Sequence, residues 1–298
     1  MFEATQSHFS KQWLNLKIRV AWSVEVLRYT FPNLLRPAVP LSEKGRQWLA
    51  VLRRDGIVRV EEKAFQEVAE YLDQAYFAPL ERPDGFSKVK LLHPDLFVLD
   101  ANKQDYRRYG TEIGAKISFK DPTLTPLFFD PYLTGVIYNY YRRQPYYRNQ
   151  PFLQKISYDG KATPNTNSNW HTDYLHQLSV MLLVSDVTKQ DTHMEYASGS
   201  HRRIWPVGNR PEGIVAEHRW PLFDAVGPKG TLFLFDAGGI HRAKYIGGSS
   251  RKILHLNITT GHHIIGERLD RMDTWKALDS YPVYARQMME RIGATAAI

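Results

Sequence analysis

The stretch from residue 170 to residue 187 reads WHTDYLHQLSVMLLVSDV, and residues 227–243 read GPKGTLFLFDAGGIHRA. Each contains a run of apolar and β-branched residues of strand length, bounded by Gly, Pro or polar residues. The pattern recurs in FLQKISYD (152–159), HMEYASGSH (193–201) and RKILHLNITT (251–260). Short strands at this spacing are typical of a β-sandwich or barrel.

Helical patterns flank this β region on both sides. Residues 43–78 show two helical segments around a short RDGIVRV strand, and residues 132–143 show a further helix. Apolar residues recur at helical spacing again after residue 270. We therefore predict one domain that spans residues 1–298. It comprises a mainly helical region (1–85), a β core (86–262) and a C-terminal helical closure (263–298).

The composition excludes several kinds of site. The chain has 298 residues, 11 His and no Cys, so disulfide scaffolds, Cys-ligated zinc, Fe–S clusters and thiol nucleophiles are excluded. Any metal must therefore be held by His, Asp or Glu. No apolar run reaches the ~18 residues of a membrane span. The opening MFEATQSHF lacks the pattern of a signal peptide, so we expect a cytoplasmic protein.

Most of the net positive charge lies near the N-terminus. Residues 1–54 carry nine basic and three acidic side chains, which is +6 of the chain's total of +8. The same region predicts an amphipathic helix that bears Trp13 and Trp22. This helix either packs against the core or makes a peripheral contact with the anionic inner face of a membrane. Nucleic acid is not an expected partner.

The triplet His-x-Asp/Glu, a common element of metal sites, occurs at His93, His171 and His193. In extended chain, residues i and i+2 face the same side, so His171 and Asp173 can point at one cation. A strongly apolar strand follows about 70 residues later and ends in a Gly-Gly turn, with His241 just beyond. Two His and one carboxylate form the facial triad that leaves positions open on Fe(II). The Pro within the His93 triplet fits an interior strand poorly.

Ten residues after His241, Arg251 opens a strand whose two faces differ in character. Its apolar face carries Leu254, Leu256 and Ile258, and its other face carries Arg251, Ile253, His255 and Asn257. Such a strand can line a ligand cavity while helices pack on its back. The Arg251 guanidinium could bind a carboxylate bidentately, and Lys252 on the apolar face is a weaker candidate for that role.

At these residues the sequence resembles the phytanoyl-CoA dioxygenase-like family of Fe(II)/2-oxoglutarate-dependent oxygenases. The resemblance rests on DGKATPNTNSNWHTDYLHQ, MEYASGSHRR, GPKGTLFLFDAGGIHRA and SSRKILHLNITTG, in family order. It implies a mainly β fold with flanking helices, the double-stranded β-helix or cupin-like jelly roll. It also implies His171, Asp173 and His241 as catalytic Fe(II) ligands. Arg251 would bind the C5 carboxylate of the cosubstrate 2-oxoglutarate, and O2 would be the oxidant.

Residues that differ between related enzymes with different reactions indicate which reaction to expect here. Related halogenases replace the metal-binding carboxylate with a small residue, so Asp173 favours hydroxylation. Nucleic-acid demethylases of the superfamily carry a second Arg where this chain has Asn257. A metal-binding cupin without oxygenase activity, such as an isomerase or a sensor, is the alternative of another class. It predicts no carboxylate-binding Arg beside the metal.

The substrate is indicated only by residues 132–148, which contain six Tyr together with Arg142, Arg143 and Arg148. Tyr and Arg together suit a sugar acid or a phosphate, although a helix end with packed Tyr and extended Arg gives the same pattern. We expect an anionic substrate, either a small molecule or a lipid-linked one. The Kdo sugar of lipopolysaccharide/lipid A is one candidate, which would place the protein in lipopolysaccharide biosynthesis. Another small molecule or a phosphonate is the alternative.

Overall fold

The structure is a computed structural model that describes residues 38–82, 89, 97–98, 111–117, 121–124, 127, 130–142, 146–147, 151–158, 168–173, 177–205 and 207–259. The predicted basic helix before residue 38, the predicted closing helices after residue 270 and the His93 triplet lie outside these residues. The division of the chain into regions within one domain stays a prediction.

The helices and strands follow the predicted pattern. The helices are α1 (Glu43–Asp55), α2 (Lys63–Leu72), α3 (Ala78–Leu80), α4 (Pro131–Tyr141) and α5 (Ile214–Glu217), with a π-helical turn at Asp73–Phe77 and 3-10 turns at Pro122–Leu124 and Ser200–Arg202. The strands are β1 (Ile57–Glu61), β2 (Phe97–Val98), β3 (Thr111–Lys116), β4 (Tyr146–Tyr147), β5 (Phe152–Tyr158), β6 (His171–Thr172), β7 (Gln177–Leu183), β8 (His193–Ala197), β9 (Gly208–Asn209), β10 (Leu222–Ala225), β11 (Thr231–Asp236), β12 (His241–Lys244) and β13 (Ser249–Thr259). The predicted strands of the 152–260 region are confirmed.

The strands form two antiparallel sheets whose order differs from the chain order. The large sheet runs β1-β11-β7-β13-β5-β3-β2, with β4 added beside β13. The small sheet runs β10-β8-β12-β6-β9. Consecutive strands therefore cross repeatedly from one sheet to the other, which is the connectivity of a jelly roll. The predicted mainly β fold with flanking helices is confirmed.

The helices cover the outer face of the large sheet. Leu52 of α1, Phe65 of α2 and Val136 of α4 are buried in one cluster with Leu254 and Leu256 of β13. These β13 residues belong to the face that the sequence predicted to pack against helices. Full burial of one such side chain contributes ~1.5–3 kcal/mol, so this layer is a main source of stability. Among the described residues, no helix is long and apolar enough to cross a membrane.

A second core fills the space between the sheets. Met181, Phe233 and Phe235 of the large sheet are buried in one cluster with Met194 and Tyr196 of the small sheet. A third cluster, on the other face of the small sheet, contains Trp170, Ala197, Ile214, Val215 and Ile240. Buried side chains therefore pack on both faces of each sheet. A polar side chain in the space between the sheets needs a hydrogen-bond partner or a ligand.

Candidate metal centre

A cavity of about 320 Å³ lies between the two sheets. Its walls include apolar side chains from both sheets, among them Met181, Met194 and Phe235. Its polar lining residues are Gln154, His171, Asp173, His241, Arg242, Tyr245, Arg251, His255 and Asn257. The inner face of β13 that the sequence predicted as cavity-lining does line this cavity.

Strand pairing brings His171 and His241 together. Strands β6 and β12 are antiparallel neighbours, and the two His are directly opposite each other in the register. Their ring centroids are 4.4 Å apart. Asp173 follows β6, where its backbone N–H donates to the carbonyl oxygen of Ala237 at 2.8 Å. The structure thus brings together the three residues that the sequence predicted as metal ligands.

The distances within this group are close to those of ligands that share one ion. The Asp173 carboxylate lies 4.0 Å from His171 Nε2 and 3.8 Å from His241 Nε2. These separations are too long for hydrogen bonds. Ligands at bond lengths of about 2.0–2.2 Å to one ion lie about 3 Å apart when adjacent, so the three side chains would have to close in by about 1 Å to share one ion. Two imidazoles and a carboxylate are donors that first-row divalent ions accept, so the residues fit the predicted iron.

Backbone carbonyl groups determine which ring nitrogen carries the proton in His171 and in His241. Nδ1 of His171 lies 2.8 Å from the carbonyl oxygen of Asn169, and Nδ1 of His241 lies 2.9 Å from that of Gly239. A carbonyl oxygen only accepts, so each Nδ1 carries the proton and donates. Each Nε2 then keeps its lone pair on the side of Asp173. Such backbone bonds orient metal-binding imidazoles and raise their basicity.

Burial keeps His241 neutral at physiological pH. Its side chain is enclosed, and this desolvation, reinforced by the neighbouring His171, lowers the pKa of His241 to about 4. Asp173, in contrast, is 38% exposed. A neutral imidazole is the form that binds a metal ion, so His241 needs no deprotonation at neutral pH.

The turn before His241 is held by residues that the sequence did not single out. Asp236 accepts hydrogen bonds from the Gly238 N–H at 2.8 Å and from the Tyr140 hydroxyl at 2.6 Å. A Cβ at Gly239 would collide with the hydroxyl of Tyr196. The Asp-Ala-Gly-Gly sequence of this turn was a usable signal for Asp236, whereas no local pattern links it to Tyr140, 96 residues away.

Arg251 is a buried cation that has no Asp or Glu partner among the described residues. It is only 5% exposed, and its Nε and Nη1 atoms are buried without a hydrogen-bond partner in that part of the chain. Desolvation lowers the pKa of Arg251 to about 10, which still leaves it charged at pH 7. A buried guanidinium without an acid is costly, so this one is suited to an anionic ligand in the cavity.

Lys252, the weaker candidate for that role, faces the other way. Its ammonium lies 2.9 Å from Asp73 and 3.2 Å from Glu81, on the helical side of the large sheet. Adjacent residues of a strand point to opposite faces, so Lys252 cannot reach the cavity that Arg251 lines. Its ion pairs connect the helical layer to the sheet.

Two polar residues of β13 lie on the same face as Arg251. Burial lowers the pKa of His255 to about 4, so its imidazole is neutral at pH 7. Asn257 Oδ1 accepts from Ser179 Oγ at 2.8 Å and from Gln177 Nε2 at 3.2 Å. These bonds fix the orientation of the Asn257 amide, whose nitrogen remains as a donor. The cavity face of β13 thus carries an uncharged amide at Asn257.

A second group of possible metal ligands lies on the outer face of the small sheet. It contains His193, Glu195 and Asp224. Glu195 is within 2.7 Å of Arg242 and 2.9 Å of Lys244. His193 Nδ1 donates to the Asp191 carbonyl oxygen, and its Nε2 lies 3.3 Å from Asp224. The potential ligand atoms of this group are therefore already engaged within the protein.

Comparison with known proteins identifies the architecture. No family model matches the sequence, and no curated protein matches it. Solved structures do match, and among them is EctD from S. alaskensis with 2-oxoglutarate and 5-hydroxyectoine. That similarity has a TM-score of 0.55 and 22% identity, and covers 74% of this chain and 77% of that chain. The chain has the double-stranded β-helix fold.

Other EctD structures agree. EctD with bound Fe has a TM-score of 0.54 and 21% identity, and the match covers 76% of this chain and 81% of that chain. The apoform has a TM-score of 0.51, also at 21% identity, with 74% and 78% covered. At these identities the similarity concerns the fold. Metal ligation by the three residues and membership of the phytanoyl-CoA dioxygenase-like family stay predictions.

Proposed function

We propose that the protein is an Fe(II)- and 2-oxoglutarate-dependent dioxygenase that hydroxylates an unactivated C–H bond of an organic substrate. The observation that carries this proposal is a single cavity with two complementary features. It contains two imidazoles and a carboxylate that converge, and it contains a buried guanidinium for which the described residues provide no acid. The fold shared with EctD, crystallised with Fe and with 2-oxoglutarate, supports the same conclusion.

Each polar group of the cavity has a role in this proposal. His171, Asp173 and His241 would hold Fe(II), and Arg251 would bind the C5 carboxylate of 2-oxoglutarate. Bound iron would activate O2 and couple oxidative decarboxylation of 2-oxoglutarate to C–H hydroxylation. The protein's contribution is placement, because the backbone carbonyls that accept from each Nδ1 fix both imidazole rings before the iron binds.

The cavity walls would keep the reaction away from water. Met181, Met194, Phe235 and Ile253 are all buried and line the cavity. An apolar wall strengthens the charge pair between Arg251 and a carboxylate, because fewer waters compete for either group. It also limits side reactions of reactive intermediates with solvent.

For the substrate we propose an organic anion, either a small molecule or a lipid-linked one. Support comes from the Tyr- and Arg-rich sequence of residues 132–148 and from the basic N-terminal segment. The most specific form of this proposal is a Kdo 3-hydroxylase of lipopolysaccharide biosynthesis, in contact with the inner face of the membrane through residues 1–54. Another small molecule or a phosphonate is the alternative substrate.

An anaerobic titration tests the proposed activity. The protein with Fe(II) is expected to develop a weak visible charge-transfer band when 2-oxoglutarate is added, and to form succinate once O2 is admitted. Kdo–lipid A, free sugar acids and phosphonates are then compared by the extra succinate and the added oxygen that each yields. Metal binding without any effect of 2-oxoglutarate would contradict the proposal and favour a non-oxygenase cupin.

A further inference from the structure

Most of the exposed large apolar side chains in the described part of the chain lie in or beside one pair of loops. Among the described residues, the exposed large hydrophobic side chains are Tyr132, Ile204, Val207 and Leu222, at 49–58% exposure. Three of these four lie in or beside two loops that contact each other through Trp205 and Trp220, whose ring centroids are 5.8 Å apart. Surfaces of this kind on soluble domains mark interaction sites more often than chance exposure does.

Three exposed arginines outnumber the two exposed acids, Glu212 and Glu217, on the same loops. Arg202, Arg203 and Arg219 are exposed on these loops. Among the described residues, none of the three has a carboxylate within ion-pair distance. Arg203 instead lies over the ring of Trp220, with its guanidinium carbon 6.0 Å from the ring centroid. We call the six residues Arg202, Arg203, Ile204, Val207, Arg219 and Leu222 the Arg–apolar surface.

A rigid aromatic base supports this surface. The Trp205 indole N–H donates to the Ser200 carbonyl oxygen at 3.0 Å, and the guanidinium of Arg210 lies 5.6 Å from the Trp205 ring centroid. The rings of His218 and Trp220 stack at 4.4 Å. Packed rings therefore anchor the two loops that carry the exposed side chains, which lowers the conformational freedom that these loops lose on binding.

The Arg–apolar surface is directly connected to the strand that carries His171. Strand β9 follows Val207 and pairs with β6, where Asn209 is opposite His171. Arg210 also donates to the Thr172 hydroxyl at 3.0 Å. Thr172 and His171 point to opposite faces of the strand. At Val207 the surface is thus one strand away from His171, whereas its other end, Leu222 on β10, lies at the opposite edge of the small sheet.

We propose that the Arg–apolar surface docks onto an anionic lipid membrane. The guanidinium groups would pair with lipid phosphates, and Ile204, Val207 and Leu222 would enter the boundary between headgroups and acyl chains. This contact is separate from the helix predicted within residues 1–54. Membrane binding by the Arg–apolar surface does not depend on the oxygenase activity. Its use in delivering a membrane-associated substrate to the cavity rests on the proposed function.

Vesicle co-sedimentation of the full chain tests the charge component. The protein is expected to pellet with phosphatidylglycerol vesicles at low salt and far less with phosphatidylcholine vesicles. The triple variant R202Q/R203Q/R219Q should weaken binding by about fivefold for each Arg removed. The matched control R59Q/K63Q/R82Q removes the same charge from exposed positions outside both residues 1–54 and the Arg–apolar surface, and should bind nearly as the wild type does. Equal losses in the two triple variants would overturn the proposal.

A second set of variants tests the apolar component. I204S/V207S/L222S should lose the binding that survives in high salt, whereas Y132S, which changes the exposed apolar residue on α4, should not. Thermal unfolding checks that each variant is folded. Wild-type binding by both surface variants would assign any membrane contact to residues 1–54 and overturn the proposal. A wild-type dimer that I204S/V207S/L222S converts to a monomer would assign the surface to a second copy instead, with the same consequence.

Discussion

The two faces of the small sheet each carry a cluster of His and carboxylate side chains, and the two clusters differ in what surrounds them. The inner cluster, His171, Asp173 and His241, has ligand atoms that face one another at 3.8–4.0 Å without hydrogen bonds between them. The outer cluster, His193, Glu195 and Asp224, is neutralised by Lys189, Arg242 and Lys244. Both clusters contain a His-x-Asp/Glu triplet, so the triplet alone does not define a metal site.

The difference follows from the alternation of side chains along a strand. On β8, Met194 and Tyr196 face the space between the sheets, so His193 and Glu195 face outward. On β12, His241 faces inward and Arg242 reaches Glu195 on the outside. Cations and acids on the outer face satisfy each other and contribute to stability. On the inner face the charges are left for ligands, as is typical of functional sites.

The largest expected effect is loss of activity from the inner cluster. H171A, D173A and H241A should each reduce Fe(II)-dependent succinate formation to background in a folded protein, because two donors do not retain the ion in a reactive geometry. D224A, the matched change in the outer cluster, should leave succinate formation close to the wild-type rate. Near-normal turnover by any of the first three variants would break the distinction between the clusters.

The next largest effect is expected from Arg251 and not from its neighbour on β13, Lys252. R251A should raise the KM for 2-oxoglutarate by about 30-fold or more, because an unpaired charge in a buried pair costs ~2–5 kcal/mol. Iron binding, followed by the spectrum of the anaerobic complex, should change much less. K252A removes a cation that faces the helices, and its KM should match that of the wild type. A raised KM in K252A alone would reassign the carboxylate to Lys252.

Stability should show the opposite ranking of the clusters. E195Q removes charge-assisted hydrogen bonds to Arg242 and Lys244, so the free energy of unfolding should fall by about 2–3 kcal/mol. D173N in the metal-free protein should change it by less than ~1 kcal/mol, because the partly exposed Asp173 carboxylate has no Lys or Arg partner in the part of the chain that the structure describes. Chemical denaturation measures both values. A larger loss in D173N than in E195Q would mean that the inner cluster is structural.

The smallest expected effect is a pH dependence of stability from the inner face. The folded-state pKa of His255, about 4, lies below the ordinary value of ~6.5. The unfolded chain therefore binds a proton between these pH values and the folded chain does not. Protonation of His255 in the unfolded chain does not lower the free energy of unfolding above pH ~6.5. On acidification the free energy of unfolding falls, by up to about 2 kcal/mol at pH 5. H255Q should show a shallower decrease between pH 7.5 and 5, and an equal decrease would contradict neutral burial of His255.

The β core could be predicted because its strands have local sequence patterns, and the convergence of His171, Asp173 and His241 followed from the strands that carry them. Alternation along residues 251–258 predicts which side chains line the cavity, and the Asp55-Gly56 turn appears in the structure as a left-handed Gly56 that ends α1. The support of His241 by Tyr140 could not be predicted, because the contact spans 96 residues and leaves no periodic pattern. The Arg–apolar surface was likewise not predicted, since exposure depends on how the loops pack.

Anomalous diffraction at the iron absorption edge tests the central claim most directly. Crystals soaked anaerobically with Fe(II) and 2-oxoglutarate are expected to show one strong peak, between Nε2 of His171, Nε2 of His241 and the carboxylate of Asp173. Density for 2-oxoglutarate should extend from that peak to the Arg251 guanidinium. A peak between His193, Glu195 and Asp224, or none at the inner cluster under saturating iron, would contradict the account.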